Sequence, residues 1–228
     1  MRQPATALAV AVICASLVGC ASRVSHAEPE PSTPKLIPRP LVERELPGLL
    51  LKPEQVDALM GTTGMAVTQE QSTMSDNSNT MAPPECLAID GAAEAPVYAD
   101  SGYWAERDQS MNNGDNFTHY MKQAVVMYPT MEKAGAFFDA AAERWPACHG
   151  YTHTQSGTEW SVGEISKNGR VLSTIATQHD AGSPGWACGH ALAHENNIII
   201  DVNTCSANPA DSAVKIAQQV AANVKAKW

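Results

Sequence analysis

The 228 residues carry 24 acidic and 15 basic side chains, for a formal net charge of −9. That balance argues against nucleic acid and against an anionic lipid surface as a partner. Charged residues are sparse and hydrophobic ones reach 44%, so the chain can bury one real core.

The chain starts MRQPATALAVAVICASLVGCAS. Arg2 supplies a short positive region, and an uncharged apolar run follows from Ala5 to Val18. The run is too short to span a bilayer and suits a secretory signal over residues 1–19. It closes on Leu17-Val18-Gly19-Cys20, which resembles a bacterial lipobox. Cleavage before Cys20 makes that thiol the lipid carrier, which anchors the product to the cell membrane on its extracytoplasmic side. Residues 20–46 read as a tether, with five prolines between Pro29 and Pro40. Such a segment stays extended and cannot bury a core.

Residues 47–228 read as one folded domain. A short helix is expected from Pro53 to Met60, stopped by Gly61. A strand follows near Met65–Gln71. The polar stretch Glu70–Glu85 reads as a mobile surface loop. Tyr103–Met111 and His119–Tyr128 read as paired strands. Thr130 caps a helix with apolar positions Met131, Ala134, Phe138, Ala141 and Trp145, one buried face at spacings of three and four. Pro146 ends it.

Asn168-Gly169 is a strong hairpin signal, with strands near Thr158–Lys167 and Arg170–His179. The next hairpin is CGHALAHENNIIIDVNTC, Cys188 to Cys205. With Glu195-Asn196-Asn197-Ile198 as its turn, facing residues sum to 393, so Cys188 meets Cys205. That pair falls at a non-hydrogen-bonded position, where Cα atoms lie about 4.5 Å apart, within reach of a disulfide. One face carries Ala191, Ala193, Ile198, Ile200 and Val202 and is assigned to the core. The other carries His190, Leu192, His194, Ile199, Asp201 and Asn203 and is read as solvent surface. On a strand, His190 and His194 lie about 13 Å apart, too far to share a metal, so no metal site is expected. Asn208-Pro209 then opens a last amphipathic helix along Ala213, Val214, Ala217, Val220, Ala221 and Val224.

Four cysteines remain in the domain, and an even count in an exported chain reads as two disulfides. With Cys188 joined to Cys205, Cys86 pairs with Cys148 by elimination. The fold class expected is α+β, an antiparallel sheet of hairpins with helices packed on one side.

No nucleophile elbow, phosphate loop, dinucleotide fingerprint or redox Cys pair occurs, and no cofactor is expected. The residues best placed to touch a ligand are His190, Asp201 and Asn203, with Trp160 as a stacking ring.

Three stretches together carry a family resemblance: WPACHG after the helix, GWACGHALAHENNIIIDVNTCS, and the upstream LLLKPEQVDALMGTTGM. With the closing helix, they resemble the PknH-like extracellular domain over roughly Pro47–Trp228. This family is the sensor domain of a mycobacterial receptor Ser/Thr kinase and also occurs alone in exported lipoproteins. The resemblance implies two disulfides on Cys86, Cys148, Cys188 and Cys205, and a cleft for an unidentified extracellular ligand. These residues hold no kinase domain and no membrane span, which points to the stand-alone lipoprotein members. The expected function is a non-catalytic, lipid-anchored sensor-like domain that binds a small extracellular or cell-wall ligand. An envelope protein-interaction adaptor is the alternative. Behind it stands a cell-envelope hydrolase using His190, His194 and Asp201.

Overall fold

The computed structural model describes residues 38–227. The expected signal peptide, the expected lipidation at Cys20 and most of the expected tether lie outside the described residues. The compact unit begins at Pro38, and a 3-10 helix spans Glu43–Leu49. Leu41, Leu46 and Leu49 are buried. The tether expected to reach residue 46 therefore gives way to folded chain at Pro38. Composition misled here, because three leucines at helical and turn positions suffice to dock a proline-rich segment.

Helix α1 covers Pro53–Met60, with Gly61 as its left-handed C-cap at φ 66°. Strand β1 is Ala66–Gln71 and β2 is Met81–Ala82. Met74, between them, and Met81, in β2, are buried in the core. The stretch expected as a surface loop thus contributes a strand and two core side chains. Two four-residue helices follow, α2 at Leu87–Asp90 and α3 at Ala95–Tyr98. Strands β3 (Ala105–Asn112) and β4 (His119–Met127) form the expected pair. Helix α4 runs Met131–Arg144, and the Thr130 hydroxyl accepts from the Lys133 amide as N-cap. Pro146 converts its end to a 3-10 turn, Trp145–Ala147.

Then come β5 (Gly150–His153), β6 (Thr158–Val162), β7 (Ser166–Asn168) and β8 (Val171–Gln178). The strand expected over Thr158–Lys167 is therefore two strands, broken at Gly163. Strands β9 (Ala187–Glu195) and β10 (Ile198–Ser206) form the cysteine hairpin, and Cys205 faces Cys188 in the expected register. Helix α5 spans Ser212–Lys225. Its N-cap is Asp211, not Asn208, because Pro209 is spent in a turn whose carbonyl accepts from Ser212.

The sheet is antiparallel in the order β1-β3-β4-β10-β9-β8-β6-β5-β2, with β7 on β8. Both disulfides are formed, Cys86–Cys148 and Cys188–Cys205, the latter with Cα atoms 4.1 Å apart. The α+β class and the antiparallel sheet are as expected, but the one-sided helices are not. Ala191, Ala193, Ile200 and Val202 pack with α5, α1 and the 3-10 helix. Leu192 and Ile199 pack on the opposite face with α4 and α2. The middle of the sheet is covered twice, which is why the Ile198–Ile200 run is apolar on consecutive residues.

Candidate functional site

The face of the β9–β10 hairpin expected to meet solvent is the one under α2, α3 and α4. His190 is 1% exposed, and Asp201 and Asn203 are each 4% exposed. Buried polar groups need partners, and these have them. Asp201 Oδ1 lies 2.7 Å from His190 Nε2. Asp201 Oδ2 accepts from the Ala93 amide at 3.0 Å and from the Tyr98 hydroxyl at 2.8 Å. His190 Nδ1 lies 2.8 Å from the Ile89 carbonyl oxygen. Both ring nitrogens thus lie within hydrogen-bond reach of oxygen atoms. Asn203 Nδ2 donates to the Asp90 carbonyl at 3.2 Å. The strap Leu87–Tyr98, which contains α2 and α3, is pinned to the sheet by these polar bonds. Tyr98 stays protonated: burial, then Asp201, pushes its hydroxyl well above the ordinary range.

The strap divides two cavities. One, of about 420 Å³, lies between the strap and α4. Its interior is Leu87, Phe137, Ala141, Trp145 and Leu192, with Tyr98 and Asp201 at the base. The other, of about 510 Å³, lies on the far side of the strap against β4, β10 and β6. Four aromatic rings line it, Phe117, Tyr120, Trp160 and Trp186, beside the Cys188–Cys205 bridge. Asp90, Glu94, Lys122, His153 and Asn203 supply its polar wall.

That polar wall is ordered. Glu94 accepts from Asn77 through its amide at 2.9 Å and its side chain at 2.6 Å. Burial raises the Glu94 carboxyl despite those bonds. Lys122 Nζ donates to Ser75 Oγ at 3.0 Å and lies 3.5 Å from Asp108 Oδ2. His153 Nε2 sits 2.7 Å from Asp90 Oδ1, and that bond raises its pKa. Trp160 Nε1 is buried with no acceptor among the described residues.

The sequence-expected residues therefore divide. Asn203 and Trp160 line the polar cavity, Asp201 lies at the base of the apolar one, and His190 sits behind Asp201 in neither wall. His194 is apart from them, under α4, where its Nε2 approaches the Asn196 carbonyl at 2.8 Å. Gly135 lets α4 close over it, since a Cβ there would stand 3.2 Å from the ring. Among the described residues, no three His, Cys, Asp or Glu side chains are grouped to hold a metal. Trp104 is 70% exposed and lines neither cavity. Sequence reasoning missed Tyr98, Asp90, Glu94 and Lys122. The one signal was the small-residue run Asp90–Ala95, whose Gly and Ala residues permit a strap to lie close on a sheet.

Fold and cysteine framework define a disulfide-stapled α+β domain of the kind found outside the cytoplasm. The chain belongs to the PknH-like extracellular domain family, which it matches over residues 41–223. It is 32% identical over 222 residues to the serine/threonine-protein kinase PknH of Mycobacterium tuberculosis (strain ATCC 25618 / H37Rv), covering 95% of this chain. PknH of Mycobacterium bovis (strain ATCC BAA-935 / AF2122/97) is likewise 32% identical. The chain spans 35% and 36% of the length of those two relatives. The crystal structure of the extracellular domain of PknH from Mycobacterium tuberculosis superposes with a TM-score of 0.77 at 31% identity. That match covers 82% of this chain and 98% of the other. The domain is thus of the sensor type found in a kinase homologue, and among the described residues no helix is long and apolar enough to cross a membrane.

Proposed function

We propose that this chain is a lipid-anchored, non-catalytic sensor-type domain that binds a small polar ligand of the extracellular space or cell wall in the polar cavity. The carrying observation is the mixture on one wall, Phe117, Tyr120, Trp160 and Trp186 with Asp90, Glu94, Lys122 and Asn203. Ring faces receive the C–H faces of a saccharide, and the polar groups receive its hydroxyls. A volume near 510 Å³ suits one or two sugar units.

The non-catalytic reading is supported by the His190–Asp201 pair. Every polar atom of that pair is engaged within the protein, and His190 is 1% exposed. A general base must reach its substrate's proton. The lipid anchor rests on Leu17-Val18-Gly19-Cys20 and on membership in an extracellular-domain family.

Isothermal titration with soluble cell-wall saccharides and muropeptides tests the ligand reading. A saturable heat, lost in Trp186→Ala and Asn203→Ala variants that remain folded, is the expected result. No heat with any fraction, or heat unchanged in both variants, overturns it. Intact mass of detergent-extracted protein tests the anchor: a diacylglyceryl and acyl increment on Cys20 is expected, and an unmodified N-terminus refutes it.

A further inference from the structure

The apolar cavity stands outside that reading and has its own construction. Its mouth is formed by exposed residues, Pro84, Glu85, Pro96, Glu143, Arg144 and Ala147. Inward of them every wall is apolar until Tyr98 and Asp201. The Cys86–Cys148 bridge joins the two lips directly, since Glu85 and Leu87 flank one cysteine and Ala147 precedes the other. The strap on one side is pinned by Asp201, and α4 on the other packs on the sheet through Phe137, Phe138 and Ala141. Close-packed interiors keep few voids larger than a water. A space of about 420 Å³, crosslinked at its rim and held open from both sides, falls in the size range of ligand sites.

The chemistry of its ends selects the ligand. At the base, Asp201 already takes three donors, from Ala93, Tyr98 and His190. It has no donor to offer an anionic group, and the Tyr98 proton is committed to it. The buried end of a ligand is therefore uncharged and apolar. At the mouth, Glu85 and Glu143 outnumber Arg144, which disfavours an anionic head group. We infer that the cavity between the Leu87–Tyr98 strap and α4 is a second binding site, for the alkyl chain of a single-chain amphiphile whose head group is neutral or cationic.

Trp145 lines the cavity, so contact quenching reports occupancy. The probe is 12-bromododecanol, with 12-bromododecanoate as its anionic counterpart, added to the folded, disulfide-intact protein. Saturable quenching by the alcohol is expected, weakened at least about tenfold in Ala88→Phe and in Val97→Phe, which fill the space from the strap side. Near-ultraviolet circular dichroism confirms that each variant is folded, and two separate fillers guard against one failing. Quenching by the carboxylate is expected to need about tenfold more ligand. To separate this site from the polar cavity, the titration is repeated on Trp186→Phe, where quenching is expected to persist. Unsaturable quenching, unchanged quenching in both filled variants, loss of quenching in Trp186→Phe, or equal affinity for the carboxylate each overturns the inference.

Discussion

Glu106 and Asp108 stand two residues apart on β3 and share a face. They are 2% and 1% exposed, and no oxygen of either carboxyl has a hydrogen-bond partner among the described residues. Lys122 lies 3.5 Å from Asp108 Oδ2. Burial, and then the Asp108 charge, pushes Glu106 up to about 7, against smaller opposing pulls from Lys122 and Arg107. Burial raises Asp108 as well.

A carboxyl whose folded pKa is raised holds its proton more tightly in the native state than in the unfolded one. Its contribution to stability is full below about 4.5 and is lost as pH rises through about 7. At 1.36 kcal/mol per pH unit, the loss between pH 5 and pH 8 is about 2–3 kcal/mol. Glu106→Gln removes the titration. Urea unfolding of the disulfide-intact protein at both pH values is the assay. The variant is expected to gain up to about 3 kcal/mol over the parent at pH 8 and little at pH 5. A variant–parent difference that does not change between the two pH values refutes the reasoning.

Asp201→Ala leaves the Ala93 amide, the Tyr98 hydroxyl and His190 Nε2 unpaired in the interior, a loss of about 3–5 kcal/mol in urea unfolding. Replacing Cys86 and Cys148 by Ser opens a closure of 62 residues and is expected to cost about 4 kcal/mol. The same change at Cys188 and Cys205, a closure of 17, costs about 3, so the midpoints should fall in that order. Asn197→Ala removes the bonds its side chain makes to both backbone groups of Leu41 and to the Tyr128 carbonyl. Limited proteolysis should then cut within residues 38–46, which resist in the parent. The His153 imidazole titrates above 6.5 because of Asp90. Asp90→Asn should bring its NMR titration back down and remove a stabilisation that is full below about 6.5 and fades as pH rises through the folded value.

Local chemistry explains which features were legible in the sequence. The Asn-Asn turn, the register it imposes and the Cys188–Cys205 pairing depend on residues within one hairpin. The Asn168-Gly169 turn and the Thr130 cap are equally local, each set by residues a few positions apart. What covers a strand face is decided elsewhere in the chain. His190, Asp201 and Asn203 alternate with core residues just as solvent-facing residues do, so their burial was invisible. Their partners, Ala93 and Tyr98, stand 108 and 103 residues before Asp201. The helices α2 and α3 have four residues each, too few to show a period. Leu41 and Leu46 sit in a stretch whose prolines suggest an extended tether, yet an asparagine 156 positions later supplies both hydrogen bonds for the Leu41 backbone.

That last attachment decides where tension enters the molecule. Asn196 holds Arg39 and Asn197 holds Leu41, at the corner where β9 turns into β10. Cys205, on the rim of the polar cavity, is eight residues further along the same strand, roughly 27 Å at 3.4 Å per residue. A force applied at Pro38 therefore loads the closed corner of the hairpin first, about that distance from the cavity.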